Sequence, residues 1–327
     1  MSDWRAERDQ ALLLLEQQGT AKEVRAEAAE TLVHLAADHT ERWEELRFAI
    51  PQLLEDVQSE VRRAVVTLAA LVLPEAEADE FLAARLRDPS DEVRMEAAGQ
   101  LADRGRPSLR PALAAALEDT AFLVRFEAAR GMAAIHHSAG LEVLAEGLDH
   151  DTLRFRAISA LAELGDPRAI PPLRKVFKKW LLQSFDRTQA AGALARLGDA
   201  EGAEYLLQRT HGRGGPADRP MAVELCGEVK VPGALPRLME IVADRSDGAR
   251  GAAARGLGRL GDLAALPALA AILEEADAPE DLKLDAAEGL CRLGGPDARA
   301  KVEAALARAR TEEEREELEL MLEEFGG

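Results

Sequence analysis

The 327-residue sequence carries a formal net charge of −19 and is 47% apolar but only 4% aromatic. Such an acidic chain lacks the basic stripe with which proteins neutralise nucleic-acid phosphates, so we expect no nucleic-acid partner. No apolar stretch is long enough for a signal core or a membrane span, which predicts a cytoplasmic protein that makes no membrane contact. The two cysteines, Cys226 and Cys291, lie in apolar helical patterns and are expected to be buried thiols.

In chain order, the first predicted element is a capping helix within residues 1–20. Residues 21–306 then form a repeat array, in which a basic residue opens an alanine-rich run nine times, at spacings of 29 to 37 residues. A period of this length predicts stacked two-helix units, and the lack of long period-two alternation predicts an all-α chain. Residues 307–327 predict an acidic C-terminal capping helix or, alternatively, an acidic docking tail. The nine basic residues are Arg25, Arg62, Arg94, Arg125, Arg154, Arg187, Arg219, Arg250 and Lys283.

Each predicted unit has the same internal order. Three positions lie on one face of the first helix: the residue just before the basic residue, and the third and seventh residues after it. These three positions are predicted to form the buried stripe. Glycine then ends the first helix, as at Gly165 and Gly261, and proline begins the second, as at Pro171 and Pro267. Each unit is therefore helix, short turn, helix.

Residues 88–98 (DPSDEVRMEAA) and 161–173 (LAELGDPRAIPPL) resemble HEAT repeats, most of all the bacterial subgroup related to phycobilin lyases. The resemblance covers about residues 21–306 and implies a right-handed α-solenoid of about nine two-helix repeats with helical caps. It also implies a ladder of aspartates and basic residues at the turns, in which the nine basic residues are structural rather than ligand-binding. The aspartates that match the ladder positions are Asp56, Asp88, Asp119, Asp149 and Asp244.

The same resemblance places the helices that carry the basic residues on a concave surface. The residue after each basic residue points away from the buried stripe, so Met95, Phe126 and Phe155 would lie side by side on that surface, with Arg63 and Arg130 nearby. An exposed apolar patch bounded by charge marks an interaction site. The alternative is that these side chains fold back into the groove between repeats, and the sequence leaves both open.

A second candidate site is the basic cluster of Arg174, Lys175, Lys178, Lys179 and Trp180. Residues 168–187 hold six basic residues and one acidic residue, against the strongly acidic remainder. Interleaved basic and aromatic side chains suit an acidic partner, a lipid headgroup or single-stranded nucleic acid. The alternative is a solvated helix whose Phe177 and Trp180 anchor the repeat while the lysines extend outward.

The sequence contains no recognisable catalytic, cofactor-binding or metal-binding motif, so we predict no catalytic residues, no cofactor and no enzymatic activity. It predicts a scaffold or adaptor that holds a partner protein, possibly one with a basic surface, on the concave face. Two alternatives remain: an acidic inhibitor or immunity-type protein that masks a basic partner, and a lyase-like accessory factor that acts on a cofactor-bearing protein. The polar caps favour a monomer.

Overall fold

The computed structural model describes residues 4–17, 19–38, 46–47, 50–211, 218–309 and 311–325. Every regular element within these ranges is a helix, which confirms the predicted all-α class. The helices are α1 (Trp4–Glu16), α2 (Lys22–Asp38), α3 (Ile50–Leu53), α4 (Ser59–Val72), α5 (Glu75–Arg85), α6 (Asp91–Arg104), α7 (Arg110–Ala116), α8 (Phe122–Ala134), α9 (Leu141–Gly147), α10 (Arg154–Leu164), α11 (Ile170–Phe177), α12 (Ser184–Arg196), α13 (Ala200–Arg209), α14 (Asp218–Glu228), α15 (Ala234–Ala243), α16 (Arg250–Leu260), α17 (Leu266–Glu274), α18 (Glu280–Leu293), α19 (Pro296–Leu306) and α20 (Glu312–Glu324).

The nine basic residues lie on the nine even-numbered helices from α2 to α18, which we call the motif helices. The chain divides into two compact units, Met1–Asp166 with α1 to α10 and Pro167–Gly327 with α11 to α20. Within each unit, consecutive motif helices pack against one another from repeat to repeat. This stacking of helix pairs is the arrangement of an α-solenoid.

The predicted buried stripe is present in every repeat. The third residue after each basic residue is buried, and it is alanine in every repeat but one, where Val65 takes its place. The seventh residue is also buried in all nine repeats, from Leu32 to Leu290. Each fully buried leucine of this set contributes about 1.5–3 kcal/mol. Small side chains at the first position let neighbouring motif helices approach closely, and the larger ones at the second fill the core between the layers.

The motif helices α14, α16 and α18 approach one another closely. A Cβ atom added to Gly227 of α14 would lie 1.9 Å from the carbonyl oxygen of Gly256 on α16. A Cβ atom added to Gly258 of α16 would lie 2.5 Å from the Cα atom of Gly289 on α18. These backbones are in direct contact, and only glycine fits at these crossing points.

The first and last helices each pack on the neighbouring repeat with one apolar face. Trp4 and Leu15 of α1 are buried against α2, and Leu318 of α20 is buried against α18 and α19. Thr311 begins α20 as its N-cap, because its hydroxyl accepts a hydrogen bond from the Glu314 N–H at 3.0 Å. The outer faces of both helices are polar, as a terminal element of a repeat stack requires.

A ladder of charged hydrogen bonds joins the turns of the first four repeats. The Arg62 guanidinium donates to both carboxylate oxygens of Asp88, at 2.9 and 2.8 Å, and Arg94 binds Asp119 in the same two-pronged way. Each arginine also reaches back to its own turn, as Arg94 does to the Asp88 carbonyl oxygen at 2.8 Å. Arg25 pairs with Asp56. One repeat is therefore tied to the next through side chains that are largely buried.

The ladder aspartates also order the backbone of the turn that precedes the next helix. The Asp119 carboxylate accepts the Ala121 N–H at 2.8 Å, and Asp88 accepts the Ser90 N–H at 2.9 Å. The hydrogen bonds from Arg94 hold the pKa of Asp119 below its ordinary value, against the opposing effect of burial. The Asp119 carboxylate is thus more stable as an anion in the folded chain than in the unfolded one.

The ladder changes in the later repeats. Arg125 donates to the Asp119 and Thr120 carbonyl oxygens, and Arg154 donates to the Leu148 carbonyl oxygen and to the Asp151 carboxylate. Asp149 has contacts of its own, and its predicted place in the ladder stays a prediction.

In the second unit, one predicted ladder partner is wrong. Arg219 binds Asp247 at 2.6 Å rather than Asp244, whose carboxylate binds the N–H and hydroxyl of Ser246. The aspartate that reaches Arg219 therefore lies three residues further along the chain than the position that Asp88 and Asp119 occupy in their turns. Arg250 pairs with Glu275 at 2.6 Å, so a glutamate takes the place of the aspartate there.

Two basic residues of the set have other surroundings. Arg187 donates to the Lys179 and Trp180 carbonyl oxygens. Lys283 lines a cavity of 430 Å³ beside Glu275, Glu280 and Arg308.

Candidate protein-binding surface

An open groove of 580 Å³ crosses the motif helices α6, α8 and α10 of the first unit. We call it the Phe155 groove, since the Phe155 side chain on α10 is its largest apolar group and is 44% exposed. The floor consists of small residues, including Gly105, Ala134 and Ser159, which leave room for an incoming side chain. Asp103, Arg130, Arg156 and Glu163 supply the polar part of the lining.

The charges of the groove are organised around Glu127, whose side chain is nearly buried. Its carboxylate accepts hydrogen bonds from Arg130 at 2.9 Å and from Arg156 at 2.6 Å. Arg130 also donates to Asp103 at 2.9 Å. Burial by itself lowers the pKa of Arg130, but the neighbouring carboxylates raise it above its ordinary value, so Arg130 stays cationic. The two arginines are therefore fixed in place before any partner arrives.

The prediction that Phe126 is exposed is wrong. Its side chain is completely buried and packs against α9, where Gly147 has no Cβ atom to block it. The Arg156 guanidinium covers the other side of the ring, 5.6 Å from its centroid. Phe126 thus supports the groove from below, while Phe155, at the same position one repeat later, lines it.

The other two members of the predicted patch lie at intermediate exposure. Met95 is half-buried and packs on the apolar cluster that contains Ala98 and Val124. Arg63 pairs with Glu30 at 2.7 Å, and both side chains are partly exposed. Of the five residues predicted for the concave patch, the structure brings Phe155 and Arg130 together in one groove.

The basic cluster in the second unit lies at the end of α11 and in the turn that follows. Lys178 pairs with Glu201 at 3.0 Å, and Arg174 pairs with Asp199 at 2.5 Å. Lys175 and Lys179 also have contacts in the structure. Phe177 is buried, edge-on to Tyr205 with ring centroids 5.2 Å apart, and therefore anchors α11.

Trp180 does not act as an anchor. Its side chain is 76% exposed, and that of the next residue, Leu181, is 91% exposed. Leu181 and the 41% exposed Phe185 are not among the residues predicted for the basic cluster. The signal for Leu181 is the run of large apolar residues from Trp180 to Leu182, in a turn that is acidic in other repeats.

The described residues contain no cluster of three or more acidic, histidine or cysteine side chains arranged to hold a metal ion. Burial raises the pKa of the Cys226 thiol to about 12, which leaves it protonated and unreactive. Among the described helices, none is both long and apolar enough to cross a bilayer.

Comparisons with known proteins agree with the repeat architecture. The family model described as HEAT repeats matches residues 78–155 and 203–290, just over half of the chain, and the PBS lyase HEAT-like repeat model matches residues 153–179. No curated protein sequence matches significantly.

Among solved structures, yeast importin-β (Kap95p) is 14% identical with a TM-score of 0.57 over 97% of this chain and 50% of importin-β. The chain thus spans half the length of importin-β, and the similarity is one of fold. The CpcE and CpcF complex of phycocyanin lyase from Nostoc sp. is 20% identical with a TM-score of 0.47, over 76% of this chain and 94% of that one.

Proposed function

Because this chain belongs to the HEAT-repeat family, with a repeat of the PBS-lyase-like type, we propose that it is a non-catalytic scaffold that holds a partner protein in the Phe155 groove. The observation that carries the proposal is the open groove of 580 Å³ with a half-exposed phenylalanine at its edge and two fixed arginines in its wall. A preorganised groove costs little conformational entropy when a partner binds. Phe155 supplies the apolar contact, and the arginines supply directional hydrogen bonds.

The charge of the groove bears on the kind of partner. Asp103 and Glu163 are balanced by Arg130 and Arg156, so the lining itself is close to neutral. The net charge of −19 acts at longer range and attracts basic proteins to the surface as a whole. We therefore propose a partner with a basic surface that inserts an apolar side chain beside Phe155. This proposal includes the case of an acidic inhibitor that masks a basic protein.

The test begins with a photo-crosslinking amino acid at position 155 in cells, followed by mass spectrometry of the crosslinked protein. The affinity of the purified partner is then measured by calorimetry for the native chain, for Phe155→Ser and for the matched control Leu263→Ser. Leu263 is 63% exposed and lies far along the sequence from the groove, in the second unit. We expect Phe155→Ser to weaken binding at least about tenfold and the control to leave it unchanged. Equal affinities for all three proteins would contradict the proposal.

A second candidate is a lyase-like accessory role, which the match of residues 153–179 to the PBS lyase HEAT-like repeat favours. Such a factor would bind a linear tetrapyrrole or the protein that carries it. Absorption spectroscopy of the purified chain after incubation with phycocyanobilin tests this role directly. A bound chromophore with a shifted visible band supports it, whereas free pigment removed by gel filtration counts against it.

A further inference from the structure

The turn at residues 178–183, which we call the Trp180 turn, departs from the ladder of the earlier repeats. In the second, third and fourth repeats, the residue six positions before the ladder arginine is Asp56, Asp88 or Asp119. Leu181 stands six positions before Arg187, and residues 178–185 contain no acidic residue. An exposed leucine, Leu181, therefore occupies the position that holds a stabilising aspartate in the earlier repeats. Such local departures from a repeated rule mark functional positions.

The backbone of the Trp180 turn is nevertheless well fixed. The Lys179 N–H binds the Val176 carbonyl oxygen at 2.9 Å, and the Arg187 guanidinium binds the Lys179 carbonyl oxygen at 2.7 Å. Trp180 and Leu181 are therefore held outward on an ordered turn. Exposed tryptophan on a rigid support is the typical anchor of a protein interface. Lys178 and Lys179 precede it, and Lys178 also pairs with Glu201. Residues 168–187 hold six basic residues and one acidic residue, so the rim around this apolar centre is basic.

Helix α20 presents the opposite arrangement. Leu320 on its outer face is 63% exposed. The residues three and four positions to either side of Leu320, which surround it on a helix surface, are all glutamates: Glu316, Glu317, Glu323 and Glu324. The described helix holds eight glutamates and one arginine, so like charges at these spacings repel one another. A cationic surface laid against this face would relieve that repulsion.

We propose that the Trp180 turn binds the outer face of α20 of a second copy of this chain. The apolar centre of each surface meets that of the other, while the basic rim around Trp180 meets the acidic rim around Leu320. The residues of this contact all lie in the second unit and differ from those that line the Phe155 groove. The proposed dimer or larger assembly differs from the monomer that the polar caps predict. A polar cap prevents contact through the end of the repeat stack, whereas the proposed contact uses the outer face of α20.

The charge pattern also favours a second copy over an anionic membrane. A lipid surface presents anionic headgroups, whereas α20 presents an exposed leucine within an acidic rim, the pattern complementary to the turn. Between two copies the repulsion of distant charges is screened within about 8–10 Å at physiological salt, whereas the two rims lie in contact. Because the two contacting surfaces differ, the contact is head-to-tail and gives a closed dimer or ring, or a longer chain.

The experiment is sedimentation velocity of the full chain over a range of concentrations up to about 100 μM, where contacts of micromolar affinity are populated. We expect the average mass to rise with concentration. Trp180→Ser and Leu320→Ser should each weaken self-association at least about tenfold, and the exposed-leucine control Leu263→Ser should not. All three side chains are largely exposed, so the replacements leave the fold intact.

Charge reversal separates this contact from others. The pair Lys178→Glu and Lys179→Glu should abolish self-association, as should Glu316→Lys and Glu317→Lys, while an equimolar mixture of the two variants restores it. A chain that is monomeric at all concentrations overturns the proposal, and so does association that survives Trp180→Ser. Loss in the Trp180 variant without loss in the Leu320 variant also overturns it. A monomer that instead cosediments with phosphatidylserine vesicles would assign the turn to lipid.

Discussion

Asp119 connects three parts of the first unit, so its replacement by alanine tests the ladder. The native carboxylate accepts two hydrogen bonds from Arg94, at 2.7 and 3.0 Å, and one from the Ala121 N–H at 2.8 Å. The two paired side chains are only 15% and 12% exposed. Breaking a buried pair costs about 3–5 kcal/mol, and an exposed pair contributes about 0–1 kcal/mol. At this partial burial, and including about 1 kcal/mol for the lost hydrogen bond to the Ala121 N–H, we expect Asp119→Ala to cost about 2–4 kcal/mol.

The matched control is Asp151→Ala. Asp151 also pairs with an arginine of the set, Arg154, but its carboxylate is 90% exposed, so its loss should cost about 0–1 kcal/mol. Urea unfolding followed by far-ultraviolet circular dichroism gives both free energies. Repeat arrays can unfold in parts, so hydrogen exchange of the α6 and α8 amides accompanies it and should show the loss of protection there. If the two variants lose the same free energy of unfolding, the Arg94–Asp119 pair stabilises the fold no more than an exposed ion pair does. That result would refute the structural role of the ladder.

Three further predictions follow from the core and the ladder. Phe126→Ala should destabilise the chain by about 3–5 kcal/mol in the same urea assay, whereas an exposed phenylalanine would change stability by less than about 0.5 kcal/mol. Gly147→Ala should cost about 1–3 kcal/mol, because the new Cβ atom would lie 2.5 Å from the Phe126 ring, and the cost should shrink in a Phe126→Leu background. In the folded chain the pKa values of Asp88, Asp119 and Asp247 lie below their ordinary values. The stability that these carboxylates add to the fold is therefore complete above the unfolded pKa of about 3.9, and it is lost as the pH falls through the folded pKa values. The urea midpoint should therefore drop below about pH 4, less steeply in Asp119→Asn, and a flat profile would contradict this.

The repeat register could be predicted from the sequence because it depends on local spacing. A helix repeats every 3.6 residues, so alanine and leucine at fixed distances from a basic residue identify the buried face wherever the pattern recurs. The positions of Ala97 and Leu101 follow from this rule alone. The family resemblance assigned Asp88 and Asp119 to the ladder, and the structure shows that each pairs with the arginine of the preceding repeat.

The exposure of Phe126 could not be predicted in the same way. Phe126 and Phe155 occupy the same position in consecutive motif helices, yet one is buried and the other lines the groove. Phe126 is buried because Gly147 of α9 has no side chain and leaves space for the Phe126 ring. The periodicity of α8 alone contains no information about a residue on α9. Likewise, Arg219 binds Asp247 and not Asp244, although Asp244 holds the position that Asp88 and Asp119 hold in the earlier turns. In both cases a residue outside the repeated pattern sets the outcome.

The glycine contacts between α14, α16 and α18 restrict how this array can change its length in evolution. Gly256 faces α14 and Gly258 faces α18, so the eighth repeat is fitted to a different neighbour on each side. In-frame duplication or loss of a single unit would set Gly227 against a helix that has not been matched to it, and a side chain at the contact would force the backbones apart. We expect units to be gained or lost elsewhere in the array, with these three inherited together as one block.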